Sequence, residues 1–186
     1  MTLRPPVSGR DHSRGPADAP VTLVEYGDYE CPHCGRAHPI VRLLERRLGK
    51  SLRFVFRNFP LSEVHPHAVH AAEAAESVAS HVGEDAFWCM HDAIYDHQHD
   101  SPLALEDENL VAYAAACGAD ARQVASDLAT DALADHVRED FTSGVRSGVN
   151  GTPTFFINGE RYDLPWDDVE GFEKALREAA KAVAAR

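Results

Sequence analysis

The run Val21, Thr22, Leu23, Val24, Glu25, Tyr26, Gly27, Asp28, Tyr29, Glu30, Cys31, Pro32, His33, Cys34 decides how this chain reads. Val21 to Tyr26 is β-branched and apolar around a single carboxylate, the composition of a buried strand. From Pro32, a residue suited to a first helical turn, Ile40, Val41, Leu43, Leu44 and Leu48 share one helical face until Gly49 stops the pattern. Pro39 is expected to bend that helix. Leu52 to Phe56 then returns to strand composition. Strand, helix, strand predicts a βαβ unit, parallel and right-handed, with two cysteines at the first strand-to-helix junction.

Outward from this unit, residues 66–145 read as helix throughout, with apolar spacings such as Val78 to Val82, Met90 to Ile94, and Val137 to Phe141 to Val145. Breaks at Gly83, at Asp100 to Pro102 and at Gly118 divide the segment into about four helices. Strand character resumes at Thr154 to Ile157, Asn158 and Gly159 supply a two-residue hairpin turn, and Glu160 to Tyr162 return. A last helix carries Val169, Phe172, Leu176, Ala180 and Val183 as one stripe, with Arg177, Lys181 and Arg186 toward its C-terminal end. The order is βαβ, a helical insertion, ββα.

With 186 residues and 44% hydrophobic content, the chain has material for one sizeable core. Its 30 acidic against 18 basic residues, scattered rather than blocked, repel a phosphate backbone, so nucleic acid is not an expected partner. Residues 1–15 show no apolar run resembling a signal-peptide core, and no stretch approaches the roughly 20 apolar residues of a membrane span. On that pattern the expected localisation is cytoplasmic. Four cysteines are too few for a disulfide-stapled scaffold, and only Cys31 and Cys34 are closely spaced.

A cysteine where a strand meets a helix has its sulfur near unpaired backbone N–H groups and the positive end of the helix dipole, which lowers its pKa. Cys31, nearer the helix start and solvent, is the expected nucleophile, and Cys34 the resolving thiol one turn later. Pro32 and His33 tune the pair, the imidazole donating a hydrogen bond or carrying charge beside the Cys31 sulfur. No second Cys-x-x-Cys completes a four-ligand zinc site, so no metal and no cofactor are expected.

Cys31, Pro32, His33 and Cys34, with Glu25 six residues before Cys31, resemble the DsbA family. So do Tyr26 to Tyr29, the run from Phe59, Pro60 and Leu61 through His65, Pro66, His67 and Ala68, and Ser147 to Asn158. The resemblance runs from about Gly15 to the end. It implies an α/β thioredoxin fold with an inserted all-helical subdomain. Residues 1–15 would be an N-terminal tail and 16–186 the DsbA-like domain, with a thioredoxin core over 20–62 and 146–186 and the insertion over 63–145. It also implies a cis-proline at Pro153, with the backbone at Thr152 pairing to an extended substrate peptide, and metal excluded from the thiols. Glu25 would be a proton acceptor for Cys34; the alternation along its strand leaves an exposed strand-face glutamate equally open.

The implied activity is thiol:disulfide exchange with protein substrates and a redox partner such as thioredoxin or glutathione. Pro32 and His33 resemble the oxidising members, a reducing cytosol favours the reverse, and Thr152 does not choose, so direction stays open, as does the oligomeric state. Two other classes remain: a non-catalytic thioredoxin-like binding module, such as some membrane antiporters carry, and a glutathione-dependent transferase or isomerase, which normally has serine in place of the first cysteine. Cys89 and Cys117 read as buried core thiols, with no disulfide expected between them. His65, His67, His70, His91, His97 and His99 lack persuasive metal spacing and read as solvated or satisfied.

Overall fold

The computed structural model describes residues 1–184; Arg186, expected among the closing cations, lies outside them. The elements follow in the order β1 (His12–Arg14), β2 (Val21–Gly27), α1 (Pro32–Leu48), β3 (Leu52–Asn58), five helices, β4 (Thr154–Ile157), β5 (Glu160–Tyr162) and α7 (Val169–Ala184). The five helices are α2 (Ala68–Val82), α3 (Glu84–His97), α4 (Asp107–Ala116), α5 (Ala121–Ala129) and α6 (Ala134–Arg146). The chain forms two compact units. One holds Met1–Gly27, Arg36–Arg57 and the chain from Ser143 onward; the other holds Asp28–Gly35 and Asn58–Thr142.

The first unit is built on a five-stranded sheet ordered β1-β3-β2-β4-β5. β2 and β3 are neighbours joined through α1, which runs unbroken past Pro39. β4 lies antiparallel to β2, with Glu25 opposite Phe155 and Tyr26 opposite Thr154. Asn158 and Gly159, both at positive φ, make the hairpin between β4 and β5, a turn those two residue types enter at low cost. On α7, Phe172 and Leu176 are fully buried, each worth about 1.5–3 kcal/mol, whereas Val183, expected on the same stripe, is exposed.

Residues 1–15 are not a tail. β1 pairs antiparallel with β3, His12 opposite Phe56 and Arg14 opposite Phe54. The buried Arg57 guanidinium donates to Asp11 Oδ1 (2.6 Å), to the Pro5 carbonyl (3.1 Å) and to the Tyr26 hydroxyl (2.9 Å). Burial opposes that charge, but Asp11 and Tyr26 more than offset it and hold the guanidinium pKa above its usual value. Leu3 is buried and its N–H donates to the Gly159 carbonyl. No hydrophobic period marks these residues in the sequence, because their order comes from a partner more than forty residues away.

The second unit contains one helix more than expected. Gly83, residues 100–102 and Gly118 separate helices as anticipated, but the stretch after Gly118 is also divided, between α5 and α6. There Asp131 adopts a positive φ of 50°, and the Ala132 N–H turns back to the Asp127 carbonyl, so a break forms without glycine or proline. Cys89 and Cys117 are disulfide-bonded, with Cα atoms 5.7 Å apart, which corrects their reading as core thiols. Cys89 is exposed on α3 and Cys117 caps α4, two helices packed on each other, so neither sulfur serves as core filling.

Candidate functional site

The redox motif is held by a tight turn at the start of α1. The Cys31 N–H donates to the Asp28 carbonyl (3.1 Å), and the Cys31 carbonyl accepts the Gly35 N–H (3.1 Å), which makes Cys31 the residue that opens the helix. Pro32 takes the first helical position, where its missing N–H costs nothing. The first turn of α1 carries no acidic residue, and Cys31 stands at its positive end. Pro32 and His33 are exposed; Cys31 is 4% exposed and Cys34 fully buried, and the two sulfurs are not joined in a disulfide.

Asp28 organises this turn. Its backbone N–H points at the Cys34 sulfur (3.5 Å). Its buried carboxylate accepts the Glu30 N–H (2.8 Å) and the Leu61 N–H (2.8 Å), and lies 2.7 Å from His65 Nδ1. Glu30 in turn accepts the His67 N–H at 2.6 Å. The segment 61–67 is thereby tied to the cysteine turn through two carboxylates. His65, expected to be solvated or satisfied, thus packs against the turn that carries the thiols. Part of this was readable: an aspartate accepting the N–H two residues on is an ordinary Asx turn. The other half, from Leu61 and His65, is tertiary.

The remaining histidines pair mostly with carboxylates or tyrosine. His70 Nδ1 lies 2.7 Å from Asp107, His97 Nδ1 2.7 Å from Asp100, and the buried His91 Nδ1 3.0 Å from the Tyr29 hydroxyl.

The other expected site residues lie in the sheet unit. Glu25 is 2% exposed in the middle of β2, which removes the exposed strand-face alternative. The Thr152–Pro153 peptide bond is cis, and β4 begins at the next residue, paired to β2 beside Glu25. The β2–β4 register therefore brings Glu25 and the Thr152–Pro153 loop to neighbouring places, while the helical unit holds Cys31 to Cys34.

Comparison with known proteins agrees with this arrangement. The family model described as Thioredoxin matches residues 7–178. Two relatives of high identity are Na(+)/H(+) antiporters NhaA, from Salinispora tropica (43% identical over 91% of this chain) and Salinispora arenicola (45% over 91%). This chain spans about a quarter of the length of those curated relatives, 25% in both cases. Among solved structures, oxidised BdbD from Bacillus subtilis superposes with a TM-score of 0.83 at 23% identity, covering 92% of this chain and 93% of that one. Wolbachia pipientis α-DsbA1 gives 0.77 at 17% identity, covering 96% and 95%. With sheet order, helical insertion, Cys-x-x-Cys turn and family match in agreement, the chain belongs to the thioredoxin family and has the DsbA-like α/β fold.

Proposed function

We propose that the chain is a thiol:disulfide oxidoreductase acting on protein substrates through Cys31 and Cys34. The observation that carries this reading is the cysteine turn itself: Cys31 at the start of α1, and Cys34 one turn on with the Asp28 N–H aimed at its sulfur. In the oxidising direction a substrate thiolate attacks Cys31 Sγ of the Cys31–Cys34 disulfide. That S–S bond breaks, and Cys34 leaves as a thiolate that receives the Asp28 N–H. A second substrate thiolate then attacks the substrate sulfur of the mixed disulfide and releases Cys31 as a thiolate. Read backward, the same steps reduce a substrate disulfide, Cys34 resolving the mixed disulfide. Glu25 serves as the proton acceptor for Cys34, and the Thr152 backbone beside Pro153 as a docking edge for extended peptide, both carried over from the family resemblance.

The Cys89–Cys117 crosslink supports the oxidising direction. A disulfide with one exposed half-cystine persists where thiols are kept oxidised, and this favours an oxidising compartment over the cytoplasmic setting expected from residues 1–15. Among the described residues no helix is long and apolar enough to cross a membrane.

The likeness to antiporters supports a second reading, a thioredoxin-like module serving a longer membrane protein without turning over. Insulin reduction by the wild type and by Cys31→Ser separates the readings. The oxidoreductase reading expects activity that is lost on substitution; the binding module expects none in either; activity surviving the substitution would overturn the dithiol mechanism. The couple's reduction potential then sets direction, about −120 mV marking a DsbA-like oxidant and about −270 mV a thioredoxin-like reductant.

A further inference from the structure

One face of α3 is spent on the cysteine turn. His91, Tyr95 and Gln98 follow at i, i+4 and i+7, and all three meet the segment Tyr29–Cys31. The Tyr29 hydroxyl lies 3.0 Å from His91 Nδ1, and the Tyr29 ring packs on Tyr95 with centroids 5.1 Å apart. Gln98, at the C-cap of α3 and 7% exposed, donates from Nε2 to the Tyr29 carbonyl (2.6 Å) and to the Cys31 carbonyl (3.1 Å). Two acceptors for one amide nitrogen fix which way the carboxamide faces. Its Oε1 is thereby turned toward Gly35, where a Cβ would sit 2.1 Å from it. Gly35 has no side chain at the place where Gln98 enters.

We propose that Gln98 is a positioning residue for the redox pair: its single amide group clamps the carbonyls of Tyr29 and Cys31, and Gly35 is the vacancy that admits it. The inference rests on the proposed role of Cys31 as nucleophile. The Tyr29 and Cys31 carbonyls belong to the turn that carries the nucleophile, and buried without a donor they add negative charge to the surroundings of a thiolate. The Gln98 N–H groups offset that charge and also hold the Cys31 carbonyl where the first helical hydrogen bond forms. Without them the thiolate is less favoured and the turn that aims the helix end at the sulfur is looser.

The test uses the full chain and follows alkylation of Cys31 by iodoacetamide against pH, read at the Cys31 peptide by mass. Gln98→Met keeps the length of the side chain and removes its donors. The midpoint of the profile should rise by about one pH unit, so that alkylation on the acid side slows about tenfold. A wild-type profile would overturn the clamp. Gly35→Ala should shift the profile in the same direction by displacing Gln98, and should add nothing in a Gln98→Ala background. A Gly35→Ala shift that persists there would also overturn it. Should Gln98→Met fail to fold, the Gly35 comparison decides. Insulin reduction by the wild type, run in parallel, keeps the two ideas apart. An inactive wild type would remove the oxidoreductase reading, while the alkylation profiles still decide whether Gln98 sets the thiolate.

Discussion

Asp28 offers a measurable consequence of how the cysteine turn is held. Its side chain is fully buried and meets three donors, the Glu30 N–H, the Leu61 N–H and His65 Nδ1, all within 2.8 Å. Asp28→Ala strips all three of their acceptor. A buried donor left unmatched costs about 1–3 kcal/mol, and because Glu30 and Leu61 are only half-buried, water recovers part of it; about 1 kcal/mol for each of the three gives about 3 kcal/mol in all. With a urea m-value of about 2 kcal/mol/M, the unfolding midpoint should fall by about 1.5 M with m unchanged. Asp28→Asn, which retains one acceptor oxygen but turns an NH2 group toward a donor, should lose roughly half as much. His65→Ala should be nearly neutral once Asp28 is alanine, because the two residues share one interaction. An Asp28→Ala loss below about 1 kcal/mol, or losses that add in the double variant, would refute the view that this carboxylate anchors segment 61–67 to the cysteines.

Other expectations follow from the same structure. Arg57→Met takes the cationic partner from Asp11 and a donor from the Pro5 and Pro6 carbonyls and should cost about 3–5 kcal/mol in chemical denaturation; a neutral result would mean that residues 1–15 are not tied to the sheet through this guanidinium. The Cys89–Cys117 bridge closes a separation of 28 residues, so Cys89→Ser should lower stability by about 3.5 kcal/mol under oxidising conditions and by nothing in reductant. Burial, with Asp131 nearby, raises the pKa of the Glu73 carboxyl. Folding therefore favours its protonated form, and stability is lost as pH rises from the ordinary glutamate range through the raised folded value. Glu73→Gln should accordingly raise the melting temperature at neutral pH, with the gain vanishing near pH 4; a gain independent of pH would assign the effect to packing.

The sequence disclosed what local chemistry controls. Val21 to Tyr26, the helix opening at Pro32, the Asn158–Gly159 hairpin and the Phe172–Leu176 stripe all carry their period or turn chemistry within a few residues, and each stands where it was expected. What it hid depends on partners far along the chain. β1 has no period of its own and is ordered by β3 and Arg57. The break at Asp131 uses a positive φ without glycine, and the Cys89–Cys117 pairing depends on α3 lying against the end of α4. Of the expected functional residues, the cysteines and the Thr152–Pro153 loop announce themselves by motif. Asp28 shows only its local turn, and Gln98 shows nothing, because a glutamine at a helix end looks like solvent-facing polarity until the turn beneath it is seen.

The central claim is that Cys31 forms the bond to substrate and that Cys34 breaks it when a substrate disulfide is reduced, and trapping tests this most directly. Oxidised protein substrate incubated with reduced Cys34→Ser should accumulate as a mixed disulfide whose mass maps to Cys31, while Cys31→Ser should trap nothing and the wild type should release its substrate. An adduct mapping to Cys89 or Cys117, or none at Cys31 while the wild type exchanges disulfides, would contradict it.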